Sequence, residues 1–550
     1  MRASSLTIRS AHLRHRLSVL LTVLVLAGCG RNESGPVHAV ASPANAPVDG
    51  GRLARRLEND IQTLNAVLQT TDYDRSVLSY IHDPLIDLDE NLQPIPGTAA
   101  KWEIADGGRT YIFHLDPRAT FSDGQPVRAS DVLFTLRKII DEQSPEFSSL
   151  FDLFDRTKSA VVDDRTVRVA FREARPAQLM AFNIAILPEH VYGKGDFKKD
   201  FNDSAVGDGP YKLVTWDRGK SVLVQRRADY WREKPHIESI LFKVLSDDNV
   251  AWLSVKRGEL DEMRVKSDRW ATEKDRPDVR QKVNFYNIYL LSYNCIAWNN
   301  ADPLLKDARV RNALAMAYDR DAIIRNLYRD QARAITGPAA PDQWAYDPSV
   351  PPIHFDLTRA AALLKDAGWS DTDGDGVLDR QGRKFEFDML LPAGSQVAME
   401  QTQVFQQALQ KIGVRMNIRP LDGASMFRNV MSGKYQSAFM AWSLDPDPDL
   451  YPLFDSKQKP PAGLNVVRYA NPEVDALIAQ TRREFNFNQR RELFHRLHQI
   501  LARDQPYLWT VQVAMKWAVN KRVNNVHIAK GFGLYNWYPG SRAWWLSPSR

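Results

Sequence analysis

The fold of this chain is decided by the stretch Phe121-Ser-Asp-Gly-Gln-Pro-Val-Arg-Ala-Ser-Asp-Val-Leu-Phe134. Its first half contains Asp-Gly and a proline, which are typical of a tight turn. Ser130 then stands where a side chain can cap the start of a helix. The residues that follow place apolar side chains at helical spacing, at Val132, Leu133, Leu136, Ile139 and Ile140. The stretch therefore predicts a turn that leads into an amphipathic helix.

Strand and helix patterns alternate on both sides of this helix. Alternating apolar residues, each run bounded by turn residues, predict strands over 111–115, 165–171, 212–216 and 221–225, the last two as a hairpin. Helical spacing predicts helices over 309–317 and 358–365, and Gly368 follows the second of them. Interleaved strands and helices of this kind indicate α/β lobes.

The chain begins with the features of an exported protein. Four arginines and no acidic residue precede an apolar run over 17–27, which is shorter than the roughly 20 residues that a membrane span needs. The run ends in Leu26-Ala-Gly-Cys29, which resembles a lipobox. We therefore expect a signal peptide over 1–28, acylation of Cys29, and a flexible Pro/Ala/Ser-rich tether over 29–51. The alternative is an ordinary secretory signal with a chance cysteine.

Chain length, net charge and the number of cysteines limit the classes of protein to which the chain can belong. The 550 residues suffice for several lobes with their own cores. Four of the positive charges behind the net charge of +6 lie in the signal peptide, which argues against a nucleic-acid partner. The chain has two cysteines, and with Cys29 acylated Cys295 has no partner for a disulfide. Its apolar surroundings predict a small core residue.

Several short motifs occur in the order found in one known family. Besides the stretch 121–134, they are Gly207-Asp-Gly-Pro-Tyr211, Ala228-Asp-Tyr-Trp231, Arg309-Val-Arg-Asn-Ala-Leu314 and Tyr318-Asp-Arg320. Together with the lipobox they resemble the large extracellular solute-binding proteins of the peptide, dipeptide and nickel type, family 5. These are the capture components of ABC importers. Asp208 stands where the family more often has threonine or serine, a difference expected to matter little in a turn.

The resemblance implies an α/β fold of two lobes, a periplasmic-binding-protein clamp of the class II type. An extra domain is inserted in the first lobe, and ligand binds between lobes that close by a hinge movement. Carried over to this chain, lobe one comprises 52–92, 201–295 and 509–550. The inserted domain comprises 93–200 and lobe two 296–508.

The resemblance also points to a ligand-binding stretch over 440–449. In peptide-binding relatives, an aspartate three residues after a tryptophan anchors the ligand's α-amino group, and Trp442 and Asp445 have that spacing. The alternative is a Pro/Asp loop whose carboxylates cap turns and face solvent. We expect that role for Asp447 and Asp449.

Two further pairs of residues are candidates for a binding role. Trp298 and Asn299 lie where relatives have a strand that lines the pocket, so both are candidates for ligand contact. His495 and His498 are three residues apart on a predicted helix and could hold a metal. Because arginines surround them, a solvated basic face is the preferred interpretation.

An acidic segment has part of the spacing of a calcium loop. Carboxylates stand at its positions one, three, five and nine, which are Asp371, Asp373, Asp375 and Asp379. Position twelve is Gly382, so the bidentate glutamate is missing. We favour an acidic turn and expect no metal, or a structural one if a metal binds.

The sequence contains no phosphate-binding glycine loop, no His-Glu-x-x-His and no Gly-x-Ser-x-Gly. We therefore expect no catalysis. The lipobox and the resemblance to family 5 imply a monomeric lipoprotein without cofactor, on the periplasmic or cell-surface side of a membrane. It would capture a small solute, in particular a peptide, and deliver it to the permease subunits of an ABC transporter. The alternatives are a lipoprotein hydrolase with paired cleft carboxylates and a sensor or chaperone-like lipoprotein.

Overall fold

The computed structural model describes residues 46–461, 463–531, 533–535 and 537–548. Cys29, the signal peptide and most of the expected tether lie outside these residues. Within them, no helix combines the length and the apolar character needed to cross a membrane. The α-helices comprise Asp72–Ile81, Ala129–Asp141, Glu189–Tyr192, Asp248–Arg257, Ser267–Glu273, Pro277–Arg280, Ala308–Met316, Arg320–Asn326, Leu357–Asp366, Gln396–Gln410, Gly423–Ser432, Tyr451–Phe454, Pro472–Thr481 and Phe487–Asp504.

Three sheets form the framework. The first has seven strands in the spatial order Val283–Ile288, Met515–Asn520, Glu262–Val265, Arg52–Leu57, Ser239–Val244, Ser221–Arg226 and Tyr211–Asp217. The second has five, in the order Arg415–Leu421, Glu386–Pro392, Ser437–Ser443, Ser292–Trp298 and Tyr507–Trp509. The third has four, in the order Ala99–Ala105, Thr110–Leu115, Thr166–Ala170 and Ala160–Asp163. Two-stranded sheets pair Ile86–Leu88 with Pro94–Pro96, Ala332–Ala334 with Val511–Val513, Asp379–Arg380 with Arg383–Lys384, and Val523–Asn524 with Trp545–Leu546.

The predicted turn and helix are confirmed, with a different cap. The helix Ala129–Asp141 buries Val132, Leu133, Leu136 and Ile139, as the pattern predicted. Its start is stabilised by Asp131 rather than by Ser130. The Asp131 carboxylate accepts from the backbone N–H of Arg128 at 2.7 Å and from that of Glu189 at 2.8 Å. The strands and helices predicted on either side are also present, with ends that differ by one or two residues.

The four-stranded sheet shares one core with the first lobe. Tyr80 and Tyr211 meet edge to face at 5.5 Å and fasten the helix Asp72–Ile81 to the seven-stranded sheet. Phe113 and Phe182, at 4.5 Å, lie in the same continuous cluster of buried side chains. The segment 93–200, expected as an inserted domain, therefore packs on lobe one without a separate core.

The chain crosses between the lobes twice, each time next to the end of a strand of the first sheet. Val283–Ile288 leads into Ser292–Trp298, and Val511–Val513 leads into Met515–Asn520. The strand Ser292–Trp298 pairs along its whole length with Ser437–Ser443. The lobe boundary expected between 295 and 296 would therefore cut a strand of the second sheet. A boundary between 508 and 509 would likewise cut Tyr507–Trp509. The molecule is an α/β clamp of two lobes, with the crossings near 290 and 514.

Cys295 belongs to the second sheet and is fully buried, as predicted for a small core residue.

Candidate functional site

A cavity of about 630 Å³ lies between the lobes. Most of its wall comes from lobe one, including the helix Asp72–Ile81 and aromatic residues of the chain's last segment, such as Tyr535. Lobe two contributes Ser443, Leu444, Asp445 and Pro446, beside the crossing at 290–292. Residues far apart in the sequence thus face one space from two sides.

Asp445, the candidate anchor, lies at the wall of this cavity. It follows the strand Ser437–Ser443, which runs parallel to Glu386–Pro392. Ligands of open α/β sheets bind at the carboxyl ends of such strands. The residue is half-buried and lines the cavity, and its carbonyl accepts from Gln343 Nε2 at 2.6 Å. Asp445 therefore lines the cleft on a loop whose backbone is bonded to Gln343.

The expectation for Asp447 was wrong, and that for Asp449 was incomplete. The Asp447 side chain is fully buried and accepts from Nη1 of Arg490, whose side chain is 5% exposed. Asp449 does cap a turn, through the backbone N–H of Tyr451 at 3.0 Å, but it also pairs with Arg482 at 3.2 Å. A carboxylate in a Pro/Asp loop can be buried when a distant helix supplies an arginine, and the local sequence does not reveal that partner.

The other candidate ligand residues do not line this cavity. Trp298 is fully buried in the core of lobe two and meets Phe387 edge to face at 6.1 Å. The Asn299 side chain donates to the carbonyl oxygen of Tyr435 at 2.9 Å, which makes it a support for neighbouring backbone. Trp442 is half-buried and packs against the second core of lobe two. Of the four candidates, the structure brings Asp445 alone to the cavity wall that it describes.

The lobe-one wall is rich in charged groups that are already paired. Arg55 is buried, donates to Glu262 at 3.0 Å and lies 3.8 Å from the ring centroid of Tyr535. Trp517 Nε1 donates to the other oxygen of Glu262 at 2.6 Å. These pairs form a rigid wall of aromatic and neutralised side chains, which suits a ligand with both apolar and polar parts.

A second buried network supports the same wall. Arg542 donates to Asp83 at 2.5 Å, and the Tyr230 hydroxyl donates to the other oxygen of Asp83 at 2.7 Å. The Asp208 carboxyl accepts from the backbone N–H of Asp83 and from Thr98 Oγ1, at 2.9 and 2.6 Å. Burial, followed by the neighbouring charge of Asp83, raises the pKa of Asp208 to about 7. The departure from threonine or serine at this position thus has an electrostatic effect that a turn alone did not suggest.

The acidic segment is partly neutralised by a lysine of the same chain. Asp371, Asp373 and Asp375 are exposed and can each bring one oxygen within 4.8 Å of the others. The Lys384 ammonium lies among these acids, 2.5 Å from Asp373 and 2.9 Å from Asp375. Hydrogen bonds to these two carboxylates raise the pKa of Lys384. A lysine in the place of a cation favours the acidic-turn interpretation.

The expectation of a solvated histidine face was wrong for His498. This side chain is fully buried, its Nδ1 accepts from the backbone N–H of Asp347 at 3.0 Å, and Nε2 lies 2.9 Å from Thr336 Oγ1. Burial lowers its pKa to about 4, so the ring is neutral at pH 7. Its contacts identify it as a core histidine rather than a metal ligand.

The chain is similar to known proteins in sequence and in structure. The family described as bacterial extracellular solute-binding proteins, family 5 Middle, matches residues 93–461. The oligopeptide-binding protein AppA of Bacillus subtilis is 27% identical over 542 residues, which cover 96% of this chain and 98% of AppA. The structure of that AppA with a nonapeptide superposes with a TM-score of 0.73 at 26% identity, over 91% of this chain and all of AppA. NikZ from Campylobacter jejuni, solved with Ni(L-His), gives a TM-score of 0.74 at 23% identity, over 90% of this chain and 99% of NikZ.

Proposed function

Because the chain belongs to family 5 of the bacterial extracellular solute-binding proteins, we propose that it captures a short peptide between its lobes for an ABC importer. The similarity to an oligopeptide-binding protein over nearly the whole of both chains supports a peptide ligand. The observation that carries the proposal is the place of Asp445, a carboxylate on the lobe-two side of a cavity whose other walls belong to lobe one.

The peptide binds through its ammonium group. Asp445 accepts a charge-assisted hydrogen bond from the α-amino group, which is stronger than a bond between neutral groups. Closure of the lobes removes water from the pair and strengthens the attraction. The aromatic wall around Tyr535 and Trp517 then contacts the apolar parts of the peptide. The closed protein is the form that is delivered to the permease subunits.

The cavity favours a peptide of a few residues. Its volume of about 630 Å³ lies within the range of roughly 300–1,000 Å³ that holds ligands the size of a small drug. A nonapeptide, as in the AppA complex, is larger than such ligands. We therefore place the preferred length below that of AppA's ligand.

The same proposal includes the attachment to the membrane. Acylation of Cys29 holds the exported monomer at the periplasmic or cell-surface side, and the segment 29–51 separates the clamp from the lipid. No covalent chemistry is part of this function, and no cofactor is needed for it.

The experiment is calorimetric titration of the purified chain without its signal peptide. Trialanine, N-acetyl-trialanine and an unblocked nonapeptide are compared, because acetylation removes the charge that Asp445 contacts. We expect trialanine to bind, and acetylation to weaken binding by 30-fold or more, since truncating one partner of a buried charge pair costs roughly 2–5 kcal/mol. Equal affinities of the acetylated and free peptides would overturn the anchor. Failure of every peptide to bind would overturn the ligand class, and recovery of hydrolysed trialanine would favour the hydrolase alternative.

A further inference from the structure

The loop that carries Asp445 has the sequence Asp445-Pro-Asp-Pro-Asp449 and is held at alternate residues. Gln343 Nε2 donates to the Asp445 carbonyl, Arg490 to the Asp447 carboxylate, and Arg482 pairs with Asp449. The intervening prolines have no backbone N–H, so they cannot join a ladder of backbone hydrogen bonds. The path of the loop backbone therefore depends on hydrogen bonds and ion pairs with side chains of other segments.

Arg490 makes the most deeply buried of these contacts. The residue is 4% exposed, and the Asp447 side chain that it pairs with is fully buried. Its Nε donates to the carbonyl oxygen of Thr481 at 3.2 Å. Its guanidinium lies 5.2 Å from the ring centroid of Trp344 and 5.4 Å from that of Phe494. A planar guanidinium with this set of partners has one orientation, which a lysine cannot reproduce.

The contact with Trp344 connects Arg490 to the second support of the loop. Trp344 is the neighbour of Gln343, which holds the Asp445 carbonyl, and Gln343 Oε1 in turn accepts from the backbone N–H of Ala340 at 2.7 Å. Trp344 also packs on Phe494 at 5.0 Å. One arginine thus supports the loop directly at Asp447 and indirectly at Asp445.

We infer that Arg490 is a positioning residue for ligand capture, which aims the Asp445 carboxylate into the cleft through Asp447 and Gln343 without contacting the ligand. The inference rests on the proposed function for its effect on binding, whereas its effect on the loop does not depend on any ligand. Replacing a whole buried ion pair by apolar residues is often neutral for stability, so an effect on the geometry of the loop can be measured separately from an effect on folding.

Three variants separate positioning from stability. The double variant Asp447→Leu/Arg490→Met replaces both charges with apolar side chains, which keeps a buried charge from being left alone. Arg490→Lys keeps the charge but removes the planar fork and its stacking. Arg496→Met is the matched control, because Arg496 lies on the same helix but pairs with Glu473 at an exposed site.

The first measurement is amide hydrogen exchange of the loop segment 443–451 in the purified protein without ligand. We expect exchange about tenfold faster or more in the double variant and in Arg490→Lys, and unchanged exchange in Arg496→Met, because local protection reports the opening of local contacts. Unchanged protection in a folded double variant would overturn the inference. If the double variant does not fold, Arg490→Lys provides the same comparison.

The second measurement is a double-mutant cycle on affinity for trialanine. Because Arg490 acts through Asp445, we expect Arg490→Lys to weaken binding in the wild-type background by about 2- to 150-fold, the range of coupled neighbours. We expect no further loss in an Asp445→Ala background. Additive losses would show a general effect on lobe two and overturn the inference. If trialanine does not bind the wild type while the loop is loosened, the proposed ligand fails and the positioning of the loop stands.

Discussion

The backbone N–H of Asp83 donates to the carboxyl group of Asp208 at 2.9 Å, and both acidic side chains are fully buried. Arg542 forms an ion pair with Asp83, and the Tyr230 hydroxyl donates a hydrogen bond to it. Asp208 receives a hydrogen bond from Thr98, and burial raises its pKa to about 7. A carboxyl group that titrates near neutral pH is therefore buried behind Arg542, which lines the cleft.

The free energy of unfolding of the wild type is expected to fall between about pH 4 and pH 7, and Asp208→Asn is expected to abolish this fall. The unfolded aspartate has a pKa of about 3.9, so in this window the folded state binds more protons and wild-type stability falls as the pH rises. A shift of this size corresponds to at most about 4 kcal/mol. Urea unfolding at pH 5 and pH 8 measures the difference, with Asp203→Asn, an exposed residue of the same lobe, as the control. Equal pH dependence of wild type and Asp208→Asn would contradict the prediction.

Asp445→Ala is expected to weaken binding of trialanine by 30-fold to several thousand-fold with little change in melting temperature. The reason is the loss of roughly 2–5 kcal/mol from a charge pair that closure buries. Titration calorimetry measures the affinity, and Asp366→Ala, an exposed carboxylate of lobe two, is the control. Full affinity in the Asp445→Ala protein would remove this residue as the anchor.

A chelator is expected to shift the melting temperature of the purified clamp by less than about 1 °C, because a weak site adds little through mass action. The Lys384 ammonium already lies among the acidic side chains. Lys384→Met should make the turn less stable in the absence of calcium. Added calcium should then restore part of the lost stability. A clear chelator effect on the wild type, reversed by calcium and absent in Asp373→Asn, would show that the loop is a genuine calcium site.

Cys29→Ser is expected to abolish acylation and leave a precursor that is not processed as a lipoprotein. Metabolic labelling with a fatty acid measures this directly in cells. Cys295→Ala is the matched control and should keep the label, because this thiol is buried in lobe two. Equal labelling of wild type and Cys29→Ser would exclude the proposed anchor.

Much of the local structure could be predicted from periodicity and turn residues. The stretch 121–134 predicted a turn and a buried helical face, and both depend on side chains within a few turns of each other. The candidate role of Asp445 came from the resemblance to family 5, through its spacing of three residues from Trp442. Such features need no knowledge of distant segments.

The remaining features depend on partners from far along the chain. Asp447 is 43 residues from Arg490, and the burial of one cannot be inferred without the other. One signal was present, since Arg490 shares helical spacing with Phe494, Leu497 and Leu501, all of them buried. An arginine on an apolar stripe indicates a buried partner but does not identify it. Gln343 offered no comparable signal, because its bond is to a backbone oxygen.

The two crossings between the lobes lie side by side, so a closing rotation of the lobes would have its pivot there. The strands Val283–Ile288 and Met515–Asn520 are antiparallel neighbours, so the chain leaves the first sheet and returns to it at nearly the same place. Leu444 donates to the carbonyl oxygen of Leu291 at 2.7 Å, which puts the start of the Asp445 loop beside this pivot. In a rotation about the pivot, points near it travel little and the outer rims travel far. A ligand could therefore settle on its anchor while the mouth is still wide, and the distant rims would complete the enclosure afterwards.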